Sequence, residues 1–324
     1  METIYYDIFK KIFPAGASFA FAYGSSVFKQ IGHTSSKNTM IDFVLAVEDP
    51  LEWHSRNLDK NPSHYSMLKY VGPKYISMVQ NSFGAKVYYN TLIPTQNVIS
   101  TEDLVSDLLD WDTLYIAGRL HKPVSIVYID NKNEELKNAL KINLYSALRT
   151  ALLILPETFT EQQLYTTIAG LSYSGDFRMQ IGEDQNKVQN IVLGQMEEFR
   201  QLYLPLLRDL KDFVIVDYTK ATGQQDISAS TKLFHLSMLP KMLQLEIAKE
   251  WIRNGRIQDL EDVVRAAALD PDTNDLIFKG VTNIVQKSSF SQSAKGILTA
   301  GIIKSIIYSV SKLKKMWRSW HEDV

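Results

Sequence analysis

The chain has 324 residues, enough for about two domains. Its 45% apolar and 22% charged content excludes a disordered chain, a collagen and a coiled-coil rod. With 35 Lys and Arg against 36 Asp and Glu the net charge is −1, so no global basic field draws it to nucleic acid; the lack of cysteine removes disulfides, thiolate zinc and cysteine catalysis together.

In chain order, Ile4, Ile8, Phe9 and Ile12 mark a short amphipathic helix over residues 1–13, stopped near Pro14. Ser18–Tyr23 (SFAFAY) reads as a strand broken by Gly24-Ser25-Ser26, and Met40–Val47 (MIDFVLAV) as a second, buried strand interrupted only by Asp42. Ala85–Tyr89 and Val124–Ile129 are further strands, and Thr101–Leu109 a helix capped by Thr101. From Glu134 the texture turns helical: Glu134–Leu155, Thr160–Ala169 with its own cap, Val188–Leu204, Ile257–Ala268 and Asp275–Gln286, with a short strand expected within Ile227–Leu236. Pro156 ends a helical pattern and suggests a domain boundary. No apolar run approaches the ~20 residues of a spanning helix. The N-terminus, with early Glu2 and Asp7 and no Arg before Pro14, reads as neither a secretory signal nor a good transit peptide.

The chemistry begins at the first two strands. A strand ending in Gly24-Ser25 exposes backbone N–H groups and a hydroxyl suited to phosphates. An Asp within an apolar strand is costly to bury unless paired or bound to a cation, and Mg²⁺ held by a carboxylate and substrate phosphates would satisfy Asp42. Together these features follow the plan of a nucleotidyltransferase, although Gly-Ser turns are common and a lone strand Asp is also found in structural roles. Arg119 and Lys122 lie in a loop between strands, and Arg178 follows the turn Ser174-Gly175-Asp176. Arg119 and Lys122 are phosphate clamps or solvated loop cations, and Arg178 is a phosphate-gripping fork or half of a local ion pair with the nearby acid. His54 and Asn57 edge the same region or begin a capped helix. His54 and His64 stand in different local contexts and make a poor metal pair, and Tyr65 fits the core better than a base stack.

The stretches YGSSVF (Tyr23–Phe28), MIDFVLAVEDPLEWHSRNL (Met40–Leu58), NPSHYS (Asn61–Ser66), GAKVYYNTLI (Gly84–Ile93), LYIAGRLHKPV (Leu114–Val124), AGLSYSGDFRM (Ala169–Met179) and KGILTAGI (Lys295–Ile302) run in order along nearly the whole chain. In them the sequence resembles the mitochondrial CDP-diacylglycerol synthases, the phosphatidate cytidylyltransferases first described as translocator maintenance proteins. The resemblance implies an α/β, nucleotidyltransferase-like mixed sheet with helices (residues 1–155). A mainly helical winged-helix-like domain (156–250) and a C-terminal helical region with an amphipathic membrane helix (251–324) would follow. It implies CMP transfer from CTP to phosphatidic acid with Mg²⁺, at the matrix face of the inner mitochondrial membrane, upstream of cardiolipin. By that resemblance Gly24, Ser25, Ser26, Arg119 and Lys122 would hold the nucleotide, Asp42 and Ser25 would act in catalysis with Asp42 on the metal, and Arg178, His54 and Asn57 would meet the lipid phosphate. Two positions depart from the family pattern: Ser26 stands where the loop usually has Gly, and Val44 stands where a second strand carboxylate is common. Glu48, Asp110 and Asp112 are alternative sources of that carboxylate. An RNA or protein acceptor, or a non-enzymatic scaffold at the membrane, are the competing functions; near-zero net charge argues against RNA.

The last residues carry a separate physical signal. On a helical wheel Ile303, Ile307, Val310 and Trp317 share an apolar half with their neighbours, Lys315 and Arg318 fall on the opposite arc, and Lys314 is near the boundary. No acid appears from Ile302 until Glu322. Such a helix is built for an anionic membrane surface; the alternative is a terminal helix docked on the protein's own core.

Overall fold

The computed structural model describes residues 2–28, 41–90, 96–179, 186–253 and 259–300. Helix α1 (Glu2–Ile12) leads into strands β1 (Ala17–Tyr23) and β2 (Asp42–Val47). Helix α2 (Pro50–Lys60) starts where Asp49 caps the Glu52 amide and Pro50 supplies a preset first turn. Two tight turns, Pro62–His64 and Met67–Tyr70, precede α3 (Pro73–Ser82), β3 (Tyr88–Asn90), β4 (Gln96–Ser100) and α4 (Thr101–Asp110). A short helix α5 (Ala117–Leu120), β5 (Ser125–Ile129) and the long α6 (Glu134–Ile154) complete this part.

The sheet has the order β3-β4-β2-β1-β5, with β2 and β4 parallel and the other pairs antiparallel. Both faces are covered, which is why β1 and β2 read as unbroken apolar runs. Phe19, Phe21, Val44, Ala46 and Ile99 face the core shared with α4 and α6. Ala20, Ala22, Phe43, Leu45 and Val98 face α1, α2 and α3 through Phe9, Phe13, Trp53 and Ile76. Large residues of β1 lie beside small residues of β2 on one face, and the sizes invert on the other, so each layer fills without voids.

The remaining chain forms β6 (Thr158–Thr160), α7 (Glu161–Gly170), α8 (Lys187–Gly194), α9 (Met196–Asp209), β7 (Val214–Asp217), β8 (Thr222–Gln225), α10 (Ala229–Ser237), α11 (Lys241–Arg253), α12 (Leu260–Leu269) and α13 (Thr273–Ala300). Strands β6-β8-β7 make a small antiparallel sheet. The architecture is therefore mixed α/β, as expected. One buried apolar cluster runs from Phe19 to Val285 and crosses the positions 155 and 250 where boundaries were placed. Among the described residues no helix is long and apolar enough to cross a membrane. The amphipathic segment with Ile303, Ile307, Val310, Lys314, Lys315, Trp317 and Arg318 lies outside the described residues.

Local expectations need four corrections. The strand placed within Ile227–Leu236 is helix α10, because the Ser228 hydroxyl caps the Thr231 amide. The α4 cap is Ser100, not Thr101, whose hydroxyl bonds Ser18 and Glu48 instead. The run Val188–Leu204 is two helices broken at Gly194-Gln195. The third strand begins only at Tyr88, since Lys86 takes a positive φ of 54° after Gly84.

Three buried histidines set an acid limit on this fold. Burial lowers His54 to about 4, opposed by its bond to Gln80. Burial, and then Lys122, lower His121 to about 3. Burial, and then Arg149, lower His235 to about 4. Each is neutral when folded but binds a proton below about 6.5 when unfolded, so stability is complete above that value and declines as pH falls toward 4. The expected slope is up to ~1.4 kcal/mol per pH unit for each histidine. Thermal midpoints measured from pH 7 to 4.5 at constant ionic strength test this; a flat profile would contradict it.

Candidate active site

Strand pairing sets Tyr23 opposite Asp42 at the edge where β1 ends and β2 begins. Gly24 follows with φ +90°, a backbone state that suits glycine, and its carbonyl accepts from the Val27 and Phe28 amides at 3.0 Å each, closing a turn over Ser25 and Ser26. A Cβ on Gly24 would stand 3.3 Å from Asp42 Oδ2. The carboxylate therefore lies directly against the glycine-serine turn, as the sequence pattern implied.

The neighbouring segment 111–122 is held from two sides. The buried Asp107 carboxylate accepts from the Thr113 and Leu114 amides on Oδ1 and from the Ile116 and Ala117 amides on Oδ2, at 2.8–3.0 Å. From α6, Asn143 accepts from Trp111 Nε1 (2.9 Å), donates to the Ala117 carbonyl (3.1 Å) and meets His121 Nε2 (3.0 Å). This frame aims Tyr115, Arg119 and Lys122 at the β1 edge. The Arg119 guanidinium lies 4.0 Å over the Tyr115 ring and 5.5 Å from the Tyr23 ring, a cation–π sandwich next to Asp42.

A third segment completes the cluster. Lys122 donates to the Gly118 carbonyl and, at 2.9 Å, to the Ser172 hydroxyl. Lys122 and Lys187 lie 5.1 and 5.4 Å from the same Tyr173 ring. Arg178 binds the carboxylate of Asp176 through Nε and Nη2 at 2.6–3.1 Å. Burial would raise the Tyr115 phenol, but Arg119 and Arg178 overcome it and hold the group below its ordinary value. Burial, and then Arg119 and Lys187, lower the Lys122 ammonium to about 7. The structure thus brings Gly24, Ser25, Ser26, Asp42, Arg119, Lys122 and Arg178 into one region linked through Tyr23, Tyr115 and Tyr173. Four cations converge there around aromatic rings, an arrangement suited to a polyphosphate.

His54 and Asn57 do not join it. Both are fully buried on the inner face of α2. His54 meets the Tyr65 hydroxyl (2.7 Å) and Gln80 Oε1 (2.8 Å), and Asn57 donates to Tyr65 (2.9 Å). They are core groups closed to a lipid phosphate. Glu48 stands at the far end of β2 from Asp42, roughly 20 Å along the strand, and accepts from Thr101. Asp112 accepts from Ser106 (2.6 Å) on the outer side of α4. Tyr23, Asp107, Tyr115, Asn143, Tyr173 and Lys187 were not singled out by sequence reasoning. The three tyrosines stand inside the quoted motifs beside the cations, which is the one signal that marks them.

Among the described residues no three His, Cys, Asp or Glu side chains cluster as a metal cage. One carboxylate beside a turn that carries backbone amides and hydroxyls is nonetheless compatible with Mg²⁺, which keeps water and substrate phosphates as its other ligands. The residues fit that ion better than zinc.

The packing of the third segment is close. A Cβ on Gly118 would fall 2.3 Å from the Ser172 Cβ. Gly118→Ala is expected to cost about 2 kcal/mol by forcing α5 away from the Leu171–Tyr173 turn. Urea denaturation measures it, and an unchanged midpoint would show that this contact yields freely.

A profile of the family described as "Phosphatidate cytidylyltransferase, mitochondrial" matches residues 6–315. The proteins of that name from Danio rerio and Bos taurus are 46% and 49% identical to this chain, covering 98% and 96% of it and 96% and 95% of their own lengths. The protein of that name from Drosophila melanogaster is 42% identical, covering 94% of this chain and 96% of its own. Strand pairing, the glycine-serine turn and the cation cluster all fall within the matched span, and the chain belongs to the mitochondrial phosphatidate cytidylyltransferase family.

Proposed function

We propose that the protein makes CDP-diacylglycerol and pyrophosphate from CTP and phosphatidic acid. The observation that carries this reading is the Asp42 carboxylate lying 3.3 Å from the position of a Gly24 Cβ, with Arg119 packed over the adjacent Tyr23. The turn at Gly24-Ser25-Ser26 presents amides and hydroxyls to the triphosphate, while Arg119 and Lys122 offset its charge. Arg178 supplies a planar fork for the phosphate of the lipid, its grip on Asp176 fixing the guanidinium plane. The phosphatidate oxygen forms a new bond to the α-phosphorus of CTP as the bond to the β-phosphate oxygen breaks and pyrophosphate leaves. No side-chain base is required, because a phosphate monoester is already an anion near neutral pH. Asp42 and the substrate phosphates would hold Mg²⁺, which neutralises charge on the triphosphate when bound.

The finer assignments follow from the same reading. The order β6, α7, α8, α9, β7, β8 with the sheet β6-β8-β7 supports a winged-helix arrangement for the second part. The basic, apolar-faced segment from Ile302 to Trp320 suits a peripheral position on an anionic bilayer, at the matrix face of the inner mitochondrial membrane and upstream of cardiolipin. The acceptor is then a lipid and not a nucleic acid.

The test is purified protein with labelled CTP, Mg²⁺ and phosphatidate in detergent micelles, with ATP, GTP and UTP as controls. CDP-diacylglycerol should form from CTP alone and only with phosphatidate present. Labelling of RNA or protein without lipid product would overturn the reading.

A further inference from the structure

The segment between α2 and β3 carries an apolar surface that neither the fold nor the nucleotide site uses. Helix α3 buries Ile76 and Gln80 on one side. Tyr75 and Met78, three residues apart, stand on the other side at 53% and 54% exposure. The turn before the helix adds Met67, Tyr70 and Val71 at 81%, 79% and 50% exposure. Large apolar side chains this open, and adjacent, are uncommon on a surface with no partner.

Charge identifies the partner. From Lys60 to Lys86 the sequence contains no Asp or Glu, and Lys69 and Lys74 stand within the apolar stretch. Lys69 lies 5.0 Å over the exposed Tyr70 ring, an aromatic and a cation presented together. The chain's own C-terminal segment, with Lys304, Lys312, Lys314, Lys315 and Arg318, would be repelled by such a face. An anionic lipid surface would be attracted to both.

Near the end of α13, Lys295 is fully buried and donates to the Gln80 and Phe83 carbonyls at 2.5 and 2.7 Å, capping the C-terminus of α3. On the same helix Gln292 accepts from the Ala85 amide (2.9 Å) and donates to the Val87 carbonyl (3.1 Å), adding itself to the strand edge as a further partner. A Cβ on Gly84 would fall 2.7 Å from Gln292 Oε1, so the approach depends on glycine there. Helix α13 is thereby fixed against the end of α3 and the start of β3.

We propose that the exposed face of Met67, Tyr70, Val71, Tyr75 and Met78, with Lys69 and Lys74, is a second membrane-docking surface that inserts into an anionic lipid interface, in addition to the C-terminal segment. This rests on the reading of the acceptor as a bilayer lipid. Two attachments fix the orientation of an enzyme on a bilayer, where one helix would leave it free to swing. Avidity between them also makes the whole contact tighter than either part.

The experiment uses the full chain and vesicles of phosphatidylcholine with or without cardiolipin. The parent should sediment with the anionic vesicles and be released by salt. Tyr75→Glu/Met78→Glu and, separately, Lys74→Glu should each weaken that partition about 10-fold or more, since each cation near an anionic surface is worth ~5-fold and reversal counts twice. Both variants should keep the parental thermal midpoint and parental activity on phosphatidate dispersed in detergent, because these side chains already face solvent. Partition equal to the parent in both variants would overturn the proposal. So would a fall in oligomeric mass of the free protein in the Tyr75→Glu/Met78→Glu variant, which would assign the face to a second copy. A parent inactive in micelles would overturn the cytidylyl reading by itself, whatever the vesicle result.

Discussion

Replacing Asp42 by Asn should leave a folded protein whose CMP transfer is reduced about 10³-fold or more. The substitution keeps the shape of the side chain, so its packing against Gly24 and its place opposite Tyr23 are undisturbed. It removes the negative charge that Asp42 brings to the β1–β2 edge. Asp42 and Arg119 both act on the Tyr23 hydroxyl, which burial raises, Arg119 lowers and Asp42 raises again. Stability should therefore change little while activity collapses. Product formation from labelled CTP, together with a thermal midpoint, separates the two effects. Full activity in a folded Asp42→Asn protein would remove Asp42 from the mechanism, and a midpoint lowered in proportion to activity would make its role structural.

The parts of this site that were legible in the sequence are those set by local pattern. The apolar run ending in Gly-Ser and the run Met40–Val47 with Asp42 near its start pair antiparallel so that the glycine meets the acid, and a one-residue slip would turn Phe19, Phe21 and Val44 out of their shared core. The capping box at Thr160 and Gln163 was equally local and readable. What stayed hidden was set by long-range packing. Strand β4 offers five residues, QNVIS, whose β character comes from pairing with β2 rather than from any alternation. Asp107 carries no signal of its own in the helical pattern, yet four backbone amides converge on it because the chain turns back over the end of α4. His54 and Asn57 misled for the opposite reason: polar residues just after the Asp42 strand suggested a pocket edge, whereas Tyr65 and Gln80 arrive from later segments to satisfy them inside the core.

The basic cluster shows the same division. Arg119 and Arg178 are 59 positions apart, and nothing local relates them. They meet around Tyr115 because α6 and α7 return the chain to the sheet edge and Gly118 lets α5 lie against Ser172. Glycine at 175, with φ +77°, then turns the chain where a Cβ would lie 2.7 Å from the Thr282 carbonyl. Helix α13 thus backs the loop that carries Arg178 while its later residues Gln292 and Lys295 grip the start of β3 and the end of α3. One helix therefore supports the cation cluster and the far edge of the sheet.

Lys122 should make nucleotide binding depend on pH, and its replacement by Met should remove that dependence and lower kcat/KM about 10²-fold. Burial, then Arg119 and Lys187, bring its ammonium to about 7 in the free protein, so near neutrality only about half the molecules carry the charge. A triphosphate seated beside it reverses the balance, because an anion favours the protonated form. Binding must then take up a proton, and by linkage the affinity for CTP falls as pH rises above about 7, by up to about tenfold per pH unit, until the pKa of the bound state is reached. At pH 8 the phosphates are fully ionised and contribute no protons of their own. Calorimetry there, in buffers of different ionisation enthalpy, should show uptake approaching one proton in the parent and none in Lys122→Met. The sign is the discriminating feature: a lysine that served only to hold the Gly118 carbonyl and the Ser172 hydroxyl would change stability when replaced but would leave proton uptake on binding untouched.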